Sequence, residues 1–208
     1  MFELETIMLF LLASLAINLS PGPSILYATT VAISSGTRAA LVSVSGMSVG
    51  VFVHVLAAAT GVAALIAASA FAFTVIKILG AIYLVYLGVK TLLQPRSAPQ
   101  QAKPEVPKVT RAYFYKGILV DLLNPKIGLF FLAFLPQFVG AGEGNIFVRT
   151  MVLGMLFITL GWVVNSCIAV VAAKGANLAQ TRARDWIERW IPGAVLLGLG
   201  LRLATEEA

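Results

Sequence analysis

The sequence predicts an all-α integral membrane protein with six transmembrane helices arranged as two inverted three-helix repeats, the first and fourth helices being broken. Three observations carry this prediction. Of 208 residues, 59% are hydrophobic and 12% charged, about half the usual charged share of a soluble domain, and the mean hydropathy is +0.93. Stretches such as Thr6 to Thr37, Ala39 to Ile76 and Thr150 to Ala173 lack any Asp, Glu, Lys or Arg, and each exceeds the roughly 20 residues that cross a hydrocarbon core. The two halves also repeat short motifs in the same order. No soluble core of this size hides so much apolar surface. Disorder, collagen, coiled coils and disulfide scaffolds need high charge, strict repeats or paired cysteines instead.

The helices are expected at Leu4 to Ile33, Ala39 to Ala68, Phe71 to Leu93, Tyr113 to Val139, Phe147 to Lys174 and Ile187 to Ala204. The first is read as a retained span and not a cleaved leader, because Glu3 and Glu5 make its start acidic and the apolar run continues past Ala16. Charges near the ends of the third and sixth spans can snorkel to the interface. The fourth is different, since it carries Asp121 and Lys126, and a charge at a helix centre costs roughly 2.5–3.5 kcal/mol on insertion scales.

Between the halves, Pro95, Pro99, Pro104 and Pro107 mark an extended basic linker. This divides the chain into a first repeat (1–93), a linker (94–110) and a second repeat (111–208). The net charge of +6 is then a matter of topology. With the linker in the cytoplasm, Arg38, Lys90, Arg96, Lys103, Lys108, Arg111, Lys116, Lys174, Arg182, Arg184 and Arg189 lie on that side, and Lys77, Arg149 and Arg202 on the other: eleven against three. Both termini then face outward. The basic loop reads as a topology determinant beside anionic lipid, with no role for nucleic acid.

The repeat rests on paired motifs. Gly80-Ala81-Ile82-Tyr83-Leu84 in the third span is echoed by Gly193-Ala194-Val195-Leu196-Leu197 in the sixth, and Gly46-Met47 in the second by Gly154-Met155 in the fifth. Proline interrupts the first span at Ser20-Pro21-Gly22-Pro23 and the fourth at Asn124-Pro125-Lys126. Three spans per half, an odd number, invert the second half, which agrees with the independent charge count. Inverted repeats with matching helix breaks point to secondary transporters that bind substrate near the midplane.

Proline has no N–H, so it strips a carbonyl four residues earlier of its helical partner. Pro21, Pro23 and Pro125 thereby free the carbonyls of Ile17, Leu19 and Asp121, each costing several kcal/mol in hydrocarbon unless protein or cavity water satisfies it. Asn18, Ser20 and Ser24 surround the first break, and Asp121, Asn124 and Lys126 the second. The N-terminus of each new half-helix favours an anion, such as a substrate carboxylate, and Lys126 is the side chain best placed to contact it. Asp121 either pairs with Lys126, sits cheaply near the interface, meets an ammonium group or exchanges protons. His54, the only histidine, shares a helix face with Gly46 and Gly50, so it is a packing residue or a proton carrier. Asn165 and Ser166 are weaker candidates of the same kind.

At these residues the chain resembles the LysE/RhtB family of bacterial amino-acid exporters. Asn18-Leu19-Ser20-Pro21-Gly22-Pro23 matches the family's Pro-Gly-Pro signature. Leu123-Asn124-Pro125-Lys126, Phe130-Phe131-Leu132 and Leu135-Pro136-Gln137-Phe138 look like the RhtB branch, as does Lys77 with Leu79-Gly80-Ala81 and Tyr83-Leu84 to Gly88. The resemblance covers almost the whole chain. It implies a six-helix carrier in the bacterial inner membrane that exports amino acids or related molecules, coupled to proton or ion movement. Roles carry over only to Pro21, Gly22, Pro23, Asn124, Pro125 and Lys126; Asp121 lies just outside the matched segment.

The expected function is therefore efflux of neutral or hydroxylated amino acids, such as threonine or homoserine and its lactone, without cofactor or metal. The alternative is a cation or heavy-metal exporter, against which the intramembrane Cys, His and carboxylate ligands argue by numbering one each. An intramembrane hydrolase lacks a nucleophile motif with a matched base, and the single Cys167 excludes a self-contained dithiol relay. A homodimer is expected, because six helices are few for a carrier, and Gly46-x-x-x-Gly50 can pack within or between protomers.

Overall fold

The computed structural model describes residues 2–68, 110–139, 145–174 and 194–198, together with single positions between 75 and 93 and at 190 and 201. The third expected helix (Phe71 to Leu93), the linker and the sixth (Ile187 to Ala204) lie almost wholly outside the described residues, and with them the paired motifs of those two spans. Every element among the described residues is helical, with no strand. They are α1 Leu4–Leu19, α2 Pro23–Ala68, α3 Thr110–Leu122, α4 Pro125–Leu129, a π-helical turn Phe130–Phe134, α5 Leu135–Val139 and α6 Ile146–Lys174.

Two stretches, Pro23–Gly61 and Ile146–Lys174, are long and apolar enough to cross a bilayer, and the pair Arg111–Leu122 and Pro125–Val139, bent by 46°, makes a third. The helices turn large apolar side chains outward, including Leu12, Leu119, Leu123, Leu132, Val152 and Val163. In water such a surface would aggregate; in lipid it is the expected exterior.

The first span breaks where proline requires it. Helix α1 ends at Leu19, Ser20 follows in an extended conformation, and helix resumes at Pro23. The expected connection between residues 33 and 39 is also there and is short: the helix that begins at Pro23 and the helix that runs to Ala68 meet at Gly36, whose backbone (φ 82°, ψ 174°) is not helical. A side chain rarely adopts that backbone, and glycine does so at no steric cost. Around this point Val31 and Ala32 pack with Ala39 and Ala40, and Ala28 packs with Val44. Contacts receding evenly from Gly36 describe a helical hairpin closed by one residue.

The fourth span breaks at Asn124, as expected, and departs from α-helical geometry a second time at the π-turn, where the Leu135 N–H donates to the Phe130 carbonyl. Pro136 stands just beyond and donates no N–H, so a wider turn absorbs the local mismatch. The turn gathers Phe130, Phe131 and Phe134 against Phe10 and Phe157 in the main apolar core. Helix α3 lies directly on α2. A methyl group at Gly46 would overlap the Phe114 carbonyl, one at Gly50 the Ile118 carbonyl, and one at Gly117 the Ser43 carbonyl. The Gly46-x-x-x-Gly50 face is thus spent inside the protomer and lends no support to a dimer.

Candidate functional site

The two helix breaks meet. From the start of α4, Lys126 reaches across to the end of α1, where its Nζ donates to the carbonyls of Ile17 (3.0 Å) and Ser20 (2.8 Å). The Ile17 carbonyl is the one Pro21 deprives of its helical partner. A cation on the last carbonyls of a helix also complements the negative end of its dipole. Gly22 makes room, since a Cβ there would stand 3.0 Å from Lys126 Nζ.

Asp121 occupies the complementary place. Its Oδ1 accepts from Ser24 Oγ in the first turn of α2 at 2.5 Å, while Asn124 Nδ2 donates to Ser24 Oγ at 3.0 Å. The result is a short relay, Asn124 to Ser24 to Asp121, tying the two breaks together. Asp121 is only 3% exposed, and Lys126 is engaged by α1 carbonyls instead of by Asp121. Its carboxylate stands at the positive end of α2, where the sequence suggested a substrate anion.

The second break is closed by its own Asn124 together with His54 from α2. Asn124 Oδ1 accepts from the Lys126 N–H at 3.1 Å, capping α4. The Asp121 carbonyl, freed by Pro125, accepts from the Asn124 N–H at 3.2 Å and from His54 Nε2 at 3.2 Å, and the Leu122 carbonyl accepts from the same nitrogen at 3.0 Å. Carbonyl oxygens only accept, so Nε2 is the donor in both contacts. His54 stacks on Phe131 with the rings 8° from parallel. No side chain among the described residues reaches the third freed carbonyl, that of Leu19.

Of the residues singled out from the sequence, Ser20, Gly22, Ser24, Asp121, Asn124 and Lys126 come together at the crossing of the breaks, with Pro21, Pro23 and Pro125 shaping it. Asn18 lies one turn away against α6. There it lines a cavity of about 10 Å³ with Ser48, Asp121, Gly161, Trp162 and Asn165, about the room one water needs. Ser48, Gly161 and Trp162 escaped sequence reasoning altogether. Asn165 carried the one visible signal, an amide in an otherwise uncharged span.

A family model, LysE type translocator, matches residues 15–207. The chain belongs to the LysE type translocator family. Relatives agree: an uncharacterized membrane protein of Vibrio cholerae is 30% identical over 201 residues, covering 96% of each chain. A homoserine/homoserine lactone efflux protein of Salmonella typhimurium is 29% identical over 165 residues, and the protein of that name from Salmonella typhi 28% over 165, each covering 79% of both chains. No solved structure matches. The protein is a multi-pass membrane translocator of the LysE family, with a small-molecule substrate and the bilayer as its partners. It carries the Pro-Gly-Pro break in the conformation described above.

Proposed function

We propose that the protein exports amino acids across the cytoplasmic membrane, neutral or hydroxylated ones such as threonine or homoserine and its lactone, driven by a proton gradient through alternating access. The proposal includes six spans in two inverted repeats (1–93 and 111–208) joined by a cytoplasmic basic linker (94–110), with both termini outside. One observation carries it: the interrupted first and fourth spans lock together through Lys126 on α1 and through Asp121 on the start of α2. These contacts are few, polar and concentrated at the breaks, as a joint between two rocking halves requires. The relatives named for homoserine and homoserine lactone efflux support the substrate class.

In this reading Asn18, Ser20, Ser24, Asn124 and Lys126, with Pro21, Gly22, Pro23 and Pro125, form the substrate path, and Asp121 and His54 are the proton-coupling candidates. Lys126 becomes available to a carboxylate only when it leaves the carbonyls of Ile17 and Ser20. Proteoliposomes holding the purified chain test the function. The expected result is saturable homoserine and threonine movement that follows an imposed pH gradient and stops when the gradient is collapsed. Movement indifferent to the gradient removes the coupling, and no movement of any amino acid removes the exporter.

A further inference from the structure

The cavity between α1, α2, α3 and α6 is lined by the side-chain oxygens of Asn18, Ser48, Asp121 and Asn165. Asn18 Nδ2 donates one N–H to the Ser14 carbonyl at 2.8 Å, and Asn165 Nδ2 donates one to the Gly161 carbonyl at 2.9 Å, each one turn back along its own helix. These bonds settle the amide orientations, because only the NH₂ end can donate to a carbonyl. Both Oδ1 atoms are left over. That of Asn165 is buried without any partner on a residue only 6% exposed, and that of Asn18 points at Gly161 in the cavity wall. Ser48 Oγ donates to the Val44 carbonyl at 3.2 Å, leaving its lone pairs. Asp121 receives both of its side-chain hydrogen bonds on Oδ1, leaving Oδ2. The indole of Trp162 lines the same space with its N–H turned to Ser45 Oγ.

A buried amide oxygen with no donor is costly, and it calls for an occupant. Several acceptors lining a water-sized space, one of them a carboxylate, match a group with three donors and a positive charge. We infer that Asn18, Asp121 and Asn165 form the subsite for the substrate's primary ammonium group. This inference rests on the exporter reading and deepens it. The subsite recognises the part that homoserine and its lactone share: the lactone has no free carboxylate, but both carry the ammonium. The cavity admits the ammonium head alone, so the remainder of the molecule enters only when the walls part.

Proteoliposomes holding the full chain and loaded with labelled homoserine lactone provide the test. Unlabelled homoserine and unlabelled lactone should compete, whereas N-acetylhomoserine lactone, which has no ammonium, should compete at least about tenfold more weakly, the scale of a lost charge-assisted bond. Asn165→Leu, close in shape, should raise the half-saturating concentrations of homoserine and of its lactone by the same factor, about tenfold. Equal competition by the acetylated lactone overturns the ammonium subsite while leaving the exporter standing. So does an Asn165→Leu effect confined to homoserine, which would place Asn165 at the carboxylate. A wild-type protein that moves neither compound overturns the exporter reading and this inference together. The competition arm needs no variant, so a misfolded Asn165→Leu protein does not rescue the inference.

Discussion

The two helix breaks look alike in sequence and are held in opposite ways. The second is held mainly from within: Asn124, the residue before Pro125, caps the new helix and gives its N–H to the freed Asp121 carbonyl, with His54 of α2 as an added donor. The first borrows both of its ends. Lys126 supplies the donors for the end of α1, and Asp121 supplies the carboxylate at the start of α2. A local cap survives movement of the surrounding helices, whereas a borrowed one is lost when they separate. The difference singles out the first break as the place where relative motion of the spans changes hydrogen bonding, and it makes Lys126 and Asp121 the groups that change partners.

The largest expected effect tests that borrowing. Lys126→Met removes the donor to two carbonyls at the end of α1 and should destabilise the protein by about 3 kcal/mol, the scale of charge-assisted hydrogen bonds. Equilibrium unfolding in mixed micelles measures it. A change below that for Asn124→Ala would invert the comparison. Next comes the α2–α3 contact that presents His54 to the second break. Gly46→Ala drives a methyl into the Phe114 carbonyl, backbone against backbone, and should cost about 2 kcal/mol as an overpacked interface does. Smaller again is His54→Ala. It leaves the Leu122 carbonyl without its donor, but the Asp121 carbonyl keeps the Asn124 N–H, so about 1 kcal/mol is expected by the same unfolding measurement. A loss as large as that of Lys126→Met would show that the second break is not held mainly from within.

The breaks were legible because proline cancels a named hydrogen bond: Pro21 and Pro125 pointed to the carbonyls of Ile17 and Asp121, and both are met by side chains in the structure. The donors were not legible. Lys126 and Ile17 are 109 residues apart, so their meeting is a property of helix packing and not of any local pattern. The four-residue spacing of Gly46, Gly50 and His54 correctly placed them on one close-packed face, yet only the fold identified α3 as its partner. Lys126 was expected to contact a substrate anion, and in this conformation it holds the end of α1. Gly36 passed as part of an ordinary loop because a positive φ leaves no trace in composition. The π-turn was overlooked although Pro136 stood beside it as the available signal.

Asn124 offers an effect as small as that of His54 and the most discriminating one, because it does two separable things. Its Oδ1 caps α4 and its Nδ2 donates to Ser24, the middle of the relay to Asp121. Asn124→Ala removes both and should cost about 1 kcal/mol, the usual worth of an N-cap. Asn124→Ser restores a good cap while its short hydroxyl leaves Ser24 without the amide donor, so most of the stability should return. Transport then decides what the relay does. Homoserine flux that stays low in Asn124→Ser despite recovered stability assigns the Ser24 bond to the working of the joint. Flux that recovers with stability reduces Asn124 to a cap, and leaves the first break depending on Lys126 and Asp121 alone.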